Sequence, residues 1–322
     1  MENLTSGPDI LLLEGLKVTP QSSIPAFILL LLIYTFLMLS NISLMVLITL
    51  DPSLHQPMYL LFCNLGANDA LGATAIVPRL LSDVFTPSSE RYIRYSSCAL
   101  QAFCAHVQGS AAHTVLMIMA FNRYVAICSP LRYATIMTPR MVVGLSVSAW
   151  GVALSMVLIL VGLSVRLSRC RGVVSNPFCD NPSLFKLSCD SVLINNVYGL
   201  GYTVVLLGSS LGSITLTYLR IAVVCLTNRC RAKNSRALQT CATHLVLYVI
   251  MFVSGMVIII LHRFPDLSDH RKLAAILFHV VPPAMNGVIY GLQIKVVREK
   301  ISIILFRQQQ LHLSSENHKK IK

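Results

Sequence analysis

Arg123 closes an apolar stretch that starts near Cys98 and carries no Asp, Glu, Lys or Arg before it. A guanidinium at that depth in a hydrophobic helix is costly unless it faces other protein or reaches an interface. It is either a membrane-end arginine that snorkels to water or a switch residue at the inner mouth of a bundle, and its neighbours Asn122 and Tyr124 favour the switch. Asp69 places a carboxylate in the middle of another apolar run, as a state-dependent sodium or water site or as a hydrogen-bonded packing polar. Upstream of Arg123, His106, Gly109 or Ser110, and His113 recur at helical spacing. A polar stripe in an apolar helix faces the bundle interior, where ligands sit. His106 lies about two turns from the outer end and is a pocket candidate, whereas the deeper His113 suits an interhelical hydrogen bond. Cys104 and His106 have no convergent third ligand for a metal. No nucleophile–base pair, metal motif or phosphate loop stands out, so neither catalytic residues nor a cofactor are expected.

The elements that position these groups are membrane helices. With 55% hydrophobic and 12% charged residues, the chain is too apolar and charge-poor for an ordinary soluble domain. The net charge of +13 does not indicate nucleic acid, because the cations lie between apolar runs rather than on one basic face. Ten cysteines in 322 residues are too sparse for a disulfide-built miniprotein. Seven runs reach the roughly 20 residues needed to cross a bilayer core. They are Ile24–Leu50, Pro57–Leu81, Cys98–Ile127, Met141–Val165, Val192–Leu219, Ala237–Leu261 and Leu273–Leu292. Asp69 and Arg79 interrupt the second and Arg123 ends the third; the other five hold no charged residue. The expected fold is an all-α membrane protein, a seven-transmembrane helix bundle with a short amphipathic eighth helix. Residues 1–23 form an extracellular N-terminus, 24–292 the seven-span domain, and 293–322 a cytoplasmic amphipathic helix and tail.

With the N-terminus outside, 15 of the 26 cations fall on the inner side against only Asp51, Glu299 and Glu316. That asymmetry follows the positive-inside rule. Asn3-Leu4-Thr5 is a glycosylation acceptor, useful only on the lumenal side. The first residues lack a basic start and an unbroken apolar core, so the first span is expected to serve as the insertion signal. After the seventh run, Ile294, Val297, Ile301, Ile304 and Leu305 share one face opposite Lys295, Arg298 and Lys300, which suits a helix lying on the inner membrane surface.

Five ordered motifs carry a resemblance. Leu54-His55-Gln56-Pro57-Met58-Tyr59 follows the first span, and Met119-Ala120-Phe121-Asn122-Arg123-Tyr124-Val125-Ala126-Ile127-Cys128 ends the third. Arg236 to Leu245 opens the sixth, and Pro282-Pro283-Ala284-Met285-Asn286-Gly287-Val288-Ile289-Tyr290 lies in the seventh. With Asn41 in the first span, this pattern resembles the odorant receptors, a branch of the rhodopsin-like G-protein-coupled receptors. Leu261-His262-Arg263-Phe264 and His106 resemble the class I members, which tend toward more water-soluble ligands. Two positions depart from the family: Asn122 replaces the usual acid before the arginine, and Gly287 the proline of the last motif.

The resemblance implies a plasma-membrane, multi-pass receptor that binds a small-molecule odorant and activates a heterotrimeric G protein of the stimulatory, olfactory type, raising cyclic AMP. It implies disulfides Cys98–Cys179 and Cys170–Cys189, although four cysteines alone allow three connectivities. Implied ligand-binding positions are His106, Gly109, Ser110, Tyr202, Phe252, Ile259 and Arg263. Arg263 would select a small carboxylic acid, its apolar part toward Phe252, or would face water or pair with Asp266 or Asp269. Implied switch and coupling positions are Asn122, Arg123, Tyr124, Tyr218, Asn286 and Tyr290. Membrane lipid is the other expected partner. A receptor-shaped protein with impaired or constitutive signalling remains the alternative, given Asn122 and Gly287. No repeated half suggests a transporter, and the seventh run has no lysine for a light receptor's Schiff base.

Overall fold

The computed structural model describes residues 9–16, 18–227, 234–261 and 264–293. Asn3, Arg263 and the amphipathic stretch from Ile294 to Leu305 lie outside the described residues, and only the backbone of Tyr290 is described. In chain order the helices are α1 (Pro20–Leu50), α2 (Pro57–Phe85), α3 (Tyr95–Cys128), α4 (Tyr133–Ile136), α5 (Pro139–Val165), α6 (Asn181–Phe185), α7 (Leu193–Thr227), α8 (Asn234–Leu261) and α9 (Ser268–Gln293). All but the short α4 and α6 are long and apolar enough to span a membrane, which gives the seven-helix bundle expected. Proline begins α1, α2 and α5, where its missing N–H removes no helical bond. Before α5, Thr138 Oγ1 accepts from Met141 N at 3.2 Å and caps the first turn. Helix α7 runs on to Thr227 instead of stopping at Leu219, since hydropathy marks where the apolar layer ends and not where the helix does.

Helix α3 is the central element, in contact with α2, α5, α7 and α8. Ala102, Ala105, Ala111, Ala112 and Ala120 are buried along it, and small side chains allow neighbouring helices to approach closely. One core joins Leu61 and Leu65 of α2 to Val115, Leu116 and Met119 of α3 and to Tyr248 and Met251 of α8. Polar side chains tie the spans together. Asn41 Nδ2 donates to Pro283 O at 3.2 Å and Asn286 Nδ2 to Asp69 Oδ2 at 2.9 Å. Asn64 accepts from Trp150 Nε1 at 3.1 Å and donates to Ser146 Oγ at 3.2 Å.

One end of the bundle carries both disulfides, Cys98–Cys179 and Cys170–Cys189. The first joins the start of α3 to the loop before α7, and the second closes that loop on itself. A small sheet covers the same end: β1 (Ile10–Leu13) lies between β2 (Tyr92–Arg94), antiparallel, and β3 (Val173–Val174), parallel. Leu11 and Leu13 point inward and are buried. Gly15 then turns the chain at φ +67°, a conformation that costs glycine little. Arg91 packs where a Cβ on residue 15 would stand, and its Nη1 donates to Glu14 O and Leu16 O at 2.9 and 3.1 Å.

Gly287 has a packing role of its own. A Cβ there would lie 2.8 Å from Ser40 Cβ on α1, closer than side-chain carbons pack, while α9 already contains Pro282 and Pro283. Overpacking of this kind costs about 1–3 kcal/mol. Gly287→Ala should therefore lower surface expression, and Ser40→Gly in the same chain should recover part of it. Expression of Gly287→Ala equal to the parent would show that α1 yields at this contact.

Candidate functional site

Beneath the loop that Cys179 anchors lies a cavity of about 230 Å³ between α3, α7, α8 and α9. His106, Gly109 and His113 line it from α3, Tyr202, Thr203, Leu206 and Leu207 from α7, Gly255, Ile258 and Ile259 from α8, and Phe278 and His279 from α9. Phe178 and Asp180 close it from the loop. A neighbouring chamber of about 270 Å³ lies between α5, α6 and α7 and shares His106, Tyr202, Thr203 and Ile259 with the first. Both are smaller than the roughly 300–1,000 Å³ of drug-sized sites. Such dimensions suit a small, mostly apolar molecule with one or two polar groups.

The loop is a fixed lid. Its Cys179 N–H donates to Gln101 Oε1 at 2.8 Å, and Asn181 N–H donates to His106 Nε2 at 3.1 Å. Asn176 donates to Asp180 Oδ2 and to Ser183 Oγ at 3.0 and 2.9 Å, and accepts from Arg271 Nη2 of α9 at 3.1 Å. A buried chain continues sideways: Asn195 Nδ2 donates to Ser164 Oγ at 3.0 Å, and Ser164 donates to Asn181 Oδ1 at 2.7 Å. Near the Cys170–Cys189 staple, the Ser168 hydroxyl and backbone N–H both donate to Asp190 and hold its carboxyl below the usual carboxylate range.

The expected ligand-binding positions fall in different places. His106, Gly109, Tyr202 and Ile259 all line the cavity. His113 makes the interhelical bond expected of it, to Ser210 Oγ at 3.1 Å, and lines the cavity as well. Ser110 and Phe252 line neither chamber. Ser110 is fully buried and its hydroxyl bonds to Tyr202 OH at 2.6 Å, so it positions a lining residue. The Phe252 ring lies 5.8 Å from that of Tyr248, in the central core rather than against a ligand. His279, Asp180 and Phe178 were missed. The first belongs to an apolar run whose facing side is not visible from spacing alone, and the other two belong to a loop without periodicity.

At the opposite end, Arg123 Nε is buried with no hydrogen-bond partner among the described residues. Asn122 does not turn toward it: its Oδ1 accepts from Tyr133 OH and its Nδ2 donates to Met58 Sδ, each at 3.0 Å. Tyr218 OH bonds to His244 Nδ1 at 2.6 Å, joining α7 to α8, and Tyr124 packs against the core. Asp69 and Asn286, expected separately, form one buried pair between α2 and α9.

A seven-helix membrane bundle with a lidded cavity at one end and a half-buried arginine near tyrosines at the other has the organisation of a seven-transmembrane receptor. The family model described as "Olfactory receptor" matches residues 30–308. Olfactory receptor 51E1 of Homo sapiens is 32% identical over 274 residues, covering 84% of this chain and 85% of its own. Olfactory receptor 52P1 of Homo sapiens is 33% identical over 271 residues, with 83% and 84% covered. Olfactory receptor 56A4 of Homo sapiens is 33% identical over 281 residues, with 86% and 88% covered. The chain belongs to the olfactory receptor family of G-protein-coupled receptors, and as a multi-pass receptor of the plasma membrane it is not an enzyme.

The lid's anchor carries a consequence for maturation. Cys98→Ser or Cys179→Ser releases a loop that also holds Gln101 and His106, so surface expression should fall several-fold relative to the parent. Surface labelling checks it, and a double mutant that traffics normally would show that the anchor is dispensable.

Proposed function

We propose that this receptor binds a small odorant in the lidded cavity and, from the Arg123 end, activates a stimulatory, olfactory-type G protein that raises cyclic AMP. The observation that carries this reading is the cavity itself: apolar walls, a few polar groups, and a lid tethered to α3, beside Tyr202 and Ile258 on helices that also run to the Arg123 end. In this reading residues 1–23 and the disulfide end are extracellular, residues 24–292 form the receptor domain, and residues 293–322 are cytoplasmic. Asn3 is then a glycosylation site and the stretch from Ile294 a surface helix. A ligand that binds one bundle conformation better shifts the population toward it. Arg123, Tyr124, Tyr218 and Tyr290 are the inner groups exchanged in that shift, and the Asp69–Asn286 pair is its midpoint, where water or sodium can bind.

The ligand is a small acid in this proposal, because Arg263 comes two residues in sequence after the end of α8, a helix whose Ile258 and Ile259 line the cavity. A guanidinium holds a carboxylate through two parallel hydrogen bonds. Removing one partner of a buried charge pair costs about 2–5 kcal/mol. In cells with a cyclic AMP reporter, Arg263→Ala should thus abolish responses to straight-chain acids without loss of surface expression, and Arg263→Lys should restore them in part. An unchanged acid dose–response in Arg263→Ala would remove the charge from the ligand, and cyclic AMP that responds to no agonist would remove the stimulatory coupling.

A raised resting signal is favoured by one observation: Asn122 is engaged by Tyr133 and Met58, and Arg123 Nε has no hydrogen-bond partner among the described residues. A carboxylate at 122 would attract the guanidinium and steady the resting state. At matched expression, Asn122→Asp should show lower ligand-independent cyclic AMP than the parent. Equal basal signals would mean that this charge plays no part in the resting lock.

A further inference from the structure

We infer that His279 presents an oriented hydrogen-bond acceptor on the α9 wall of the cavity, so that the receptor favours ligands carrying a hydroxyl donor. The inference rests on the cavity being the odorant site and adds the chemistry of its α9 wall.

The reasoning starts at Pro283. In an α-helix the carbonyl of His279 would accept from the N–H four residues on, and that residue is Pro283, which has none. A carbonyl left open inside a membrane bundle needs a donor from elsewhere. Gln108 of α3 supplies it, Nε2 donating to His279 O at 3.4 Å. A carbonyl can only accept, so the amide nitrogen of Gln108 must face it, and the amide oxygen must face the imidazole. Gln108 Oε1 indeed lies 2.6 Å from His279 Nδ1. That oxygen can only accept, so Nδ1 carries the proton. In the neutral ring Nε2 is then a lone-pair acceptor, with no partner among the described residues, on a side chain that lines the cavity.

The arrangement is built from three helices. Gln108 is 4% exposed and fits only because residue 72 of α2 is glycine: a Cβ there would overlap the Gln108 side-chain amide. Asn68 Nδ2 holds the Gln108 backbone carbonyl at 2.9 Å. The rings of Phe178 and Phe278 meet that of His279 edge-on, with centroids 5.1 and 5.0 Å away, and limit its swing. Gly72 and Gln108 are positioning residues, and His279 is the one that touches ligand.

A ligand hydroxyl donating to Nε2 meets an acceptor already oriented. An ether oxygen at the same point meets another lone pair and receives nothing. The expected preference is about five- to tenfold in potency for one such bond. The experiment uses the full-length receptor in cells with a cyclic AMP reporter and surface labelling. The probes are straight-chain primary alcohols with their methyl ethers of equal length, and ω-hydroxy acids with their ω-methoxy counterparts. The parent receptor should prefer the hydroxyl member of each pair, with or without a carboxylate at the other end. His279→Phe and Gln108→Leu should each erase the preference by weakening only the hydroxyl members. Gly109→Phe, which fills the cavity from α3, should silence every probe. Equal potency within pairs in the parent, or a preference that survives His279→Phe, would overturn the inference while a silent Gly109→Phe still upheld the cavity. Responses that persist in Gly109→Phe would overturn the cavity as the odorant site, and silence of the parent to all probes would overturn the hydroxyl class. If His279→Phe fails to reach the surface, Gln108→Leu and the parent's own pair preference still decide the outcome.

Discussion

Inside the hydrocarbon layer little water is at hand for a polar atom, so a polar side chain on a span finds its partner in protein, on its own helix, as Ser148 does, or on another span. In this receptor that requirement fixes how the helices meet. Asn41 reaches the Pro283 carbonyl, Asp69 pairs with Asn286, Asn68 holds the backbone of Gln108, and Asn64 joins Trp150 to Ser146. Lipid tails are as apolar as leucine, so burial alone gives the spans little reason to prefer one packing over another. The directed polar contacts select a single register, and close packing of Leu61, Leu65, Val115 and Met119 fills the space that register leaves.

Much of this was legible before any coordinates. A run of about 20 apolar residues crosses a bilayer whatever its neighbours, so all seven spans stood out, and the second run's start at Pro57 is the start of α2. The ends were less certain, as α7 shows by continuing through Arg220 to Thr227. Site residues on α3 were visible because helical spacing puts His106, Gly109 and His113 on one face. Spacing names a face but not the neighbour it meets, so Ser110, on the same stripe, bonds to Tyr202 and lines neither chamber. His279 was hidden for a different reason. Its role depends on Gly72 and Gln108, far away in the chain, and only the fold brings the three together.

The two departures from the family's motifs also have local physical accounts. Gly287 is where α9 meets Ser40 of α1, so the small residue serves an approach and not a bend. Asn122 occupies a site that already has a donor in Tyr133 OH and an acceptor in Met58 Sδ, and an amide satisfies both. An aspartate would accept from the tyrosine and leave the sulfur without a donor. The substitution fits a pocket of two neutral partners, and Arg123 is left to the tyrosines around it.

The strand at Ile10–Leu13 imposes an order in time on the making of this protein. It is made before both of its partners, Tyr92–Arg94 and Val173–Val174. Until two spans have been made it has neither partner, and the second partner follows only after four, so Leu11 and Leu13 are fully covered late. The last piece of the cap to arrive, Val173–Val174, comes with the cysteines that staple the same loop. A chain stalled before that point therefore shows an open edge and free thiols on one side of the membrane. Such a chain differs from the finished receptor at one end of the bundle, where cap and staple close only when the strand near residue 10 meets the loop near residue 173.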